Sequence, residues 1–183
     1  MASISCFFGS VNRWECDEND HLNVRFYAQK INQAVSIFLR EMDAADAEAE
    51  IIGQHIRFVQ EARVAAPLRV DCSMQGAGEG YWDVLCLMRH NLTDEPVAGF
   101  ITRVAGNHLP VVADSDLTDA PDWAAPRGLN PDSPFPLPAS SAAALEQGFV
   151  TMGRGVIGPQ ECDARGIVLA ETYIGRISDG CPD

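Results

Sequence analysis

A carboxylate lies a few residues before the start of a predicted helix. The stretch 14–27 contains Asp17, then a short polar turn, then Asn23, a residue type that caps helix N-termini well. The first amides of a helix have no partner within the helix. A carboxylate beside such N–H donors can attack an acyl carbon or activate water, while the donors stabilise the oxyanion. These residues therefore predict chemistry at an acyl carbonyl.

The helix that must position these groups is predicted over residues 24–42. Apolar side chains recur there at spacings of three and four, which is typical of one face of an amphipathic helix. They are Tyr27, Ile31, Ala34, Val35, Phe38, Leu39 and Met42. Residues 7–14, before the polar turn, are predicted to form a first strand.

After residue 50 the periodicity changes to that of strands. Four strand-like segments are separated by turns rich in Gly, Asn, Asp or Pro. They cover residues 51–63, 67–75, 81–90 and 97–105. One strand, one long helix and an antiparallel meander predict an α+β fold, in which a curved sheet wraps the helix.

Residues 107–147 have a different composition. Seven of the eleven prolines lie between Pro110 and Pro138. The segment 131–138 is predicted to be extended and largely polyproline-like. We therefore expect one domain over residues 1–106, followed by a Pro-rich interdomain linker over 107–147.

The opening motif returns after this linker. Residues 160–163 match residues 14–17, and Tyr173 and Ile177 then align with the Tyr and Ile of the first helix. A strand-like stretch, 149–157, precedes the second copy, as a strand precedes the first. The pattern predicts an internal duplication, with the start of a second, incomplete unit over residues 148–183.

Composition excludes several classes of function. The formal net charge of −13 argues against nucleic acid and anionic membranes as partners. The N-terminus has no basic start and only a short apolar run, and no apolar run reaches membrane-spanning length. The six cysteines form no Cys-x-x-Cys pair, which favours a reduced, cytoplasmic protein.

Two segments resemble a known family. Asp17-Glu-Asn-Asp-His-Leu-Asn-Val-Arg-Phe-Tyr27 is similar to the Asp-x-x-Gly-His-Val-Asn-x-x-x-Tyr signature of hotdog-fold acyl-CoA thioesterases of the 4-hydroxybenzoyl-CoA thioesterase type. Residues 161–168 resemble the Asp-Cys-Asp-Pro-Ala-Gly-Ile-Val variant of it. The first resemblance covers about residues 5–105 and the second about 150–180. Together they imply a hotdog fold in a tandem arrangement whose second copy is truncated.

The resemblance also implies roles for individual residues. Asp17 would be the catalytic carboxylate, as nucleophile or as general base, and the backbone N–H of Val24 would polarise the thioester carbonyl. Candidate substrate-binding residues are His21, Asn23, Tyr27 and Arg57. Each of these four also has a structural interpretation, respectively as a turn residue, a helix cap, a core side chain and part of a solvated strand face. The family glycine is Asp20 here, whereas Gly166 retains it in the second copy, where Asp163 matches Asp17.

The leading hypothesis is therefore an acyl-CoA thioesterase that works as a homo-oligomer, a dimer or tetramer, without a cofactor. The alternative is a non-catalytic module that binds acyl-CoA or an acyl-carrier protein, which the carboxylate of Asp20 favours. A hotdog hydratase would need an Asn-Pro-Leu-His-like context that the sequence lacks. His55, His90 and His108 have no metal-ligand spacing, so no metal is expected.

Overall fold

The computed structural model describes residues 3–44, 48–127 and 138–178. The chain divides into two compact units, Met1–Pro126 and Arg127–Asp183. The first unit contains a sheet and a long helix, and the second contains two shorter helices. Within the described ranges, no helix has the length and apolar character that crossing a membrane requires.

Five antiparallel strands form one sheet in the first unit. They are β1 (Ile4–Ser10), β2 (Glu50–Phe58), β3 (Pro67–Gly78), β4 (Tyr81–His90) and β5 (Pro96–Ala105). The order across the sheet is β1-β3-β4-β5-β2. Strands β3, β4 and β5 form the predicted meander, but β2 pairs with β5. The expected meander is therefore wrong at β2, because periodicity reports a strand but not its partner.

Helix α1, Val24–Glu41, confirms the predicted amphipathic helix and ends one residue earlier than expected. It lies against β1, β3 and β4. Ile31, Ala34 and Phe38 on its apolar face are completely removed from water. Burial of side chains the size of Ile31 and Phe38 supplies roughly 1.5–3 kcal/mol each, so this contact holds the unit together. One helix packed on an antiparallel sheet is the α+β hotdog layout that the sequence predicts.

The strand bounds differ most from the predictions at the first strand and at the end of β2. The first strand spans Ile4–Ser10 and not residues 7–14, because Arg13–Glu15 form a 3-10 turn. In that turn the Glu15 carboxylate accepts the Asn12 N–H at 2.8 Å. β2 ends at Phe58 and not at residue 63, since the N–H groups of Val59 and Gln60 both donate to the Val97 carbonyl and the regular ladder with β5 stops there.

Residues 107–126 belong to the first compact unit, although they form half of the predicted linker. The indole N–H of Trp82 donates to the Pro110 carbonyl at 3.1 Å. Further along, Ala124 lies directly over Gly99 in β5, where an added Cβ would stand 2.4 Å from that of Ala124. This approach requires glycine at position 99. These contacts attach residues 107–126 to the sheet of the first unit.

The second unit contains α2, Ser141–Glu146, and α3, Ala170–Ser178. Residues 149–157 form no strand, so the strand predicted there is wrong; their apolar side chains Phe149 and Val150 are exposed. The polyproline-like prediction for 131–138 falls on residues that, except for Pro138, lie outside the described part of the chain. The assignment of residues 148–183 to a second hotdog-like unit stays a prediction.

Replacing Ile31 by Ala should lower the free energy of unfolding by about 2–5 kcal/mol, because the side chain is fully buried beneath the sheet. Ile37→Ala on the same helix is the matched control, since Ile37 is 43% exposed and its replacement should cost less than about 1 kcal/mol. Urea unfolding measures both. Equal losses would mean that α1 does not pack as described.

Candidate active site

A closed turn connects the first unit's 3-10 turn to α1. Cys16 and Leu22 face each other in an isolated antiparallel bridge. The Asp17 N–H donates to the His21 carbonyl at 2.8 Å, and the Asp20 N–H donates to the Asp17 carbonyl at 3.2 Å. Asp20 has a φ of 61°, in the left-handed region that favours glycine and tolerates Asp. The turn therefore keeps the backbone shape of the family glycine without having that residue.

The carboxylate of Asp17 is half-buried and oriented by its own turn. Its Oδ1 atom accepts the Asn19 N–H at 2.9 Å and the His21 N–H at 3.0 Å. Among the described residues, Oδ2 has no hydrogen-bond partner. One carboxylate oxygen thus fixes the direction of the side chain, and the second remains able to accept a proton or attack a carbon.

The start of α1 follows this turn in the chain and is hydrogen-bonded to the residue before it, Glu15. The Asn23 N–H donates to the Glu15 carbonyl at 2.9 Å. Asn23 caps the helix through its Oδ1, which accepts the Arg25 N–H at 3.0 Å. No hydrogen bond among the described residues uses the N–H of Val24, the first helical residue. The capping interpretation of Asn23 is confirmed. The Val24 amide has no acceptor in the described residues, and its role as an oxyanion donor stays a prediction.

Tyr27 is a core residue with a second task. It is 4% exposed and its ring packs edge-to-face on Phe58, with centroids 5.2 Å apart. Its hydroxyl accepts the Ala62 N–H at 2.8 Å. Burial raises the pKa of this hydroxyl. Tyr27 therefore holds the segment after β2 against α1, which confirms the packing interpretation, while a role in substrate binding stays a prediction.

His21 faces that same segment. Its backbone forms an isolated bridge with Arg63. Its Nε2 atom is buried 3.2 Å from a carboxylate oxygen of Glu61, without the geometry of a hydrogen bond. The backbone of His21 is therefore part of the turn, as the structural interpretation predicts, and its imidazole lies beside the Glu61 carboxylate.

Arg57 is engaged with the main chain. One of its guanidinium nitrogens donates to the carbonyls of Asp122 and Ala125, the latter at 3.1 Å. In the same region the Trp123 ring lies under the guanidinium of Arg89, 5.1 Å from its centroid. Arg57 thus anchors residues 121–125 on the sheet, and its predicted contact with substrate would have to use its other donors.

A buried ion pair was not predicted. Lys30 donates to both carboxylate oxygens of Glu15, at 2.7 and 2.9 Å, and the two side chains are 5% and 8% exposed. A signal for it exists in the sequence. Lys30 stands three residues after Tyr27 and four before Ala34, so it interrupts the apolar face of α1 with a charge that needs a partner.

Two other chemistries find little support. Partial burial and the nearby carboxylates of Asp20 and Asp17 raise the pKa of the Cys16 thiol, which keeps it protonated and a poor nucleophile. The described residues contain no cluster of three or more His, Cys, Asp or Glu side chains that could hold a metal ion.

The second unit contains the same turn 146 residues later. Cys162 pairs with Val168, the Asp163 N–H donates to the Ile167 carbonyl at 2.8 Å, and Gly166 has a φ of 82°. Asp163 Oδ1 accepts the Arg165 and Ile167 N–H groups, both at 2.9 Å. The difference lies at Oδ2, which accepts the Arg165 guanidinium at 2.9 Å. The Ile167 bond and this guanidinium lower the pKa of Asp163.

Residues 11–125 match the family model of the thioesterase-like superfamily, and this range contains the whole of the turn and α1. The chain belongs to the thioesterase-like superfamily. It is a thioester hydrolase by this membership, which confirms the predicted class of enzyme. No curated protein is similar enough to match the sequence.

Solved structures agree with the fold of this thioesterase-like chain. Staphylococcus aureus SAV2348, solved in complex with CoA, has a TM-score of 0.58 at 9% identity and covers 72% of this chain and 98% of its own. A candidate thioesterase of Pseudomonas putida KT2440 has a TM-score of 0.53 at 16% identity, covering 60% and 75%. A probable thioesterase of Bartonella henselae reaches 0.51 at 14% identity, covering 57% and 90%. Identities this low establish the fold alone.

Replacing Asp20 by Val should destabilise this thioesterase-like chain by about 1–2 kcal/mol, because a β-branched residue is strained at this positive φ. Asp20→Gly should stay within about 1 kcal/mol of the wild type. Glu18→Val, at an exposed residue of the same turn, is the control. Urea unfolding of the three variants distinguishes backbone strain from the loss of a surface carboxylate. Equal free energies of unfolding for the two valine variants would contradict the prediction.

Proposed function

We propose that the chain hydrolyses an acyl-CoA thioester, using Asp17 as the reacting carboxylate and the Val24 N–H as the oxyanion donor. The observation that carries this proposal is the state of Asp17, whose Oδ1 is held by two amides while Oδ2 has no partner in the described residues. The resemblance of residues 17–27 to the 4-hydroxybenzoyl-CoA thioesterase signature supports that type. The CoA bound to the S. aureus protein of the same fold supports a CoA ester as substrate.

The proposed reaction needs only groups of this chain and water. A water oxygen bonds to the thioester carbon while its proton passes to Asp17 Oδ2, and the carbonyl oxygen, now negative, accepts a hydrogen bond from the Val24 N–H. Collapse of this adduct breaks the C–S bond. The departing thiolate takes the proton from Asp17, leaving a carboxylic acid and free CoA. Direct attack by the same oxygen, followed by hydrolysis of the anhydride, is the nucleophilic variant of this scheme.

We propose secondary roles for the four predicted substrate-binding residues. Asn23 would act indirectly, through the helix start that it caps. His21 and Tyr27 would contact the acyl group of the substrate. The guanidinium N–H groups of Arg57 that do not bond to residues 122 and 125 would bind CoA phosphates. In each case a structural role is already supported by a hydrogen bond or a ring contact, so their variants need a stability measurement beside the kinetics.

A non-catalytic module that binds acyl-CoA or an acyl-carrier protein is the second candidate. Asp20 favours it, because this carboxylate stands in the same turn as Asp17 and would repel a developing oxyanion. Its side chain is 47% exposed and lies 3.3 Å from a guanidinium nitrogen of Arg13, which offsets part of that charge. Ligand-induced thermal stabilisation without turnover would favour this candidate.

We also propose a cytoplasmic homo-oligomer. The described cysteines, at positions 6, 16, 72, 86 and 162, are free thiols, which suits a reducing compartment. Edge strand β2 presents Ile52, which is 60% exposed, and this favours coverage by a second copy as a dimer or tetramer. The acidic composition continues to argue against nucleic acid and anionic membranes.

The proposed duplication has support in the second unit. Tyr173 and Ile177 of α3 are 65% and 64% exposed, whereas the equivalent Tyr27 and Ile31 of α1 are 4% and 0% exposed. α3 therefore repeats these apolar positions of α1, but in the described residues no sheet buries Tyr173 and Ile177 as it buries Tyr27 and Ile31. We propose that residues 148–183 are the opening of a second hotdog-like unit.

Asp17→Asn should lower kcat for acyl-CoA hydrolysis by about 100-fold or more. The amide keeps an oxygen for the Asn19 and His21 N–H groups, so the turn survives, but it cannot accept a proton at the other atom. Release of free CoA from acetyl-, hexanoyl-, dodecanoyl- and benzoyl-CoA measures the rate.

Asp163→Asn is the matched control, because the Arg165 guanidinium already occupies the equivalent oxygen, and its rates should equal those of the wild type. A fully active Asp17→Asn protein would remove Asp17 from the mechanism. A wild-type protein that is stabilised by these esters but releases no CoA would favour the binding module.

A chimera tests the proposed duplication. Residue 178 aligns with residue 32, so residues 33–126 can be appended in place of residues 179–183 in unbroken register. The added sheet should cover the apolar face of α3 and slow the hydrogen exchange of its amides toward that of α1. Unchanged exchange of α3, with the added strands folded, would count against a second hotdog-like unit.

A further inference from the structure

The buried pair of Glu15 and Lys30 needs an explanation beyond stability. Both side chains are more than nine-tenths removed from solvent, and Lys30 contacts both carboxylate oxygens. Burying two charges takes them out of water, and their mutual attraction often no more than offsets that loss relative to an apolar pair. The pair is therefore better understood from the segments that it joins.

Glu15 connects three parts of the site. Its Oε2 atom accepts the Asn12 N–H at the start of the 3-10 turn. Its carbonyl accepts the N–H of Asn23, the helix cap. Its carboxylate is held by Lys30, which belongs to the second turn of α1. Glu15 is two residues before Asp17. These bonds therefore fix the start of the turn that carries Asp17 to α1, whose first amide is that of Val24.

The second unit repeats this connection with a different cation. Glu161 Oε2 accepts the Gly158 N–H at 2.9 Å, and the Glu161 carbonyl accepts the Leu169 N–H at 2.8 Å. The Arg176 guanidinium donates to both carboxylate oxygens of Glu161, at 2.7 and 2.8 Å. The same clamp thus forms with Lys in one copy and Arg in the other, so its geometry does not depend on the identity of the cation.

We propose that Glu15 and Lys30 are positioning residues for thioester hydrolysis, which hold the Asp17 carboxylate in line with the Val24 amide. This inference rests on the proposed role of Asp17. Neither residue touches the reacting atoms; each acts through the turn and the helix start. A small displacement of a reacting group is enough to lower a rate strongly, so loss of the clamp reduces turnover while leaving substrate binding nearly intact.

The central experiment compares Lys30→Met with Lys30→Arg. Lys30→Met should lower kcat by roughly 10–100-fold with KM within about 3-fold of the wild type. Lys30→Arg, which installs the cation that the second copy uses, should restore most of kcat. Equal kcat for folded Lys30→Met and wild type overturns the proposal, and so does an Arg variant that is as slow as the Met variant.

A double variant separates positioning from folding. Glu15→Gln with Lys30→Met removes both charges while keeping an acceptor for the Asn12 N–H, so the protein should stay folded even if Lys30→Met alone does not. Its kcat should remain as low as that of Lys30→Met. A double variant that melts like the wild type and also turns over like it assigns the pair a purely structural role and overturns the proposal.

Hydrogen exchange keeps this test independent of activity. The amides of Asn19 and His21, which bond to Asp17 Oδ1, should exchange faster in Lys30→Met or in the double variant and at wild-type rates in Lys30→Arg. If the wild type hydrolyses none of the four CoA esters, the proposed function fails while faster exchange still supports positioning of the carboxylate. Unchanged exchange in a folded Lys30→Met protein overturns the positioning itself.

Discussion

The contact between the apolar face of α1 and the sheet is the constraint on which the first unit depends. Ile31, Ala34 and Phe38 contribute no surface to solvent, and they can be buried only if β1, β3 and β4 curve around the helix. The position of the helix start is thereby fixed. Because the turn carrying Asp17 is bonded to that helix start, the burial of apolar side chains far from Asp17 decides where the carboxylate can lie.

The turn that carries Asp17 is closed by two main-chain hydrogen bonds and by two amides that donate to the Asp17 carboxylate. The two oxygens of its carboxylate differ, since Oδ1 closes the turn and Oδ2 has no protein partner in the described residues. This difference explains how Oδ2 could take part in the proposed chemistry while Oδ1 keeps the side chain oriented. It also explains why the isosteric amide is the informative replacement, because the amide separates the two roles.

Local patterns predicted the local structure well. The spacing of apolar residues in α1 and the capping residue Asn23 are properties of neighbours in sequence, and both are confirmed. The pairing of β2 with β5 was missed, because it joins residues about a quarter of the chain apart through contacts that no short window contains. The attachment of residues 107–126 was missed for a similar reason, since Ala124 finds its place only through the absence of a side chain at Gly99. In the candidate site, the motif singled out Asp17 as a prediction, but the pairing of Lys30 with Glu15 was not predicted, because the two residues meet only when α1 packs beside the 3-10 turn.

The two copies of the turn differ in the residue that follows the carboxylate by two positions, Asn19 in one and Arg165 in the other. Both residues are exposed, and both donate the same backbone N–H to the acid. A single surface position therefore decides whether the second carboxylate oxygen has no partner or is bonded to a guanidinium. Most side chains fit at this position without disturbing the core. In a fold of this kind, one surface substitution can create or remove a reactive carboxylate while the free energy of unfolding hardly changes.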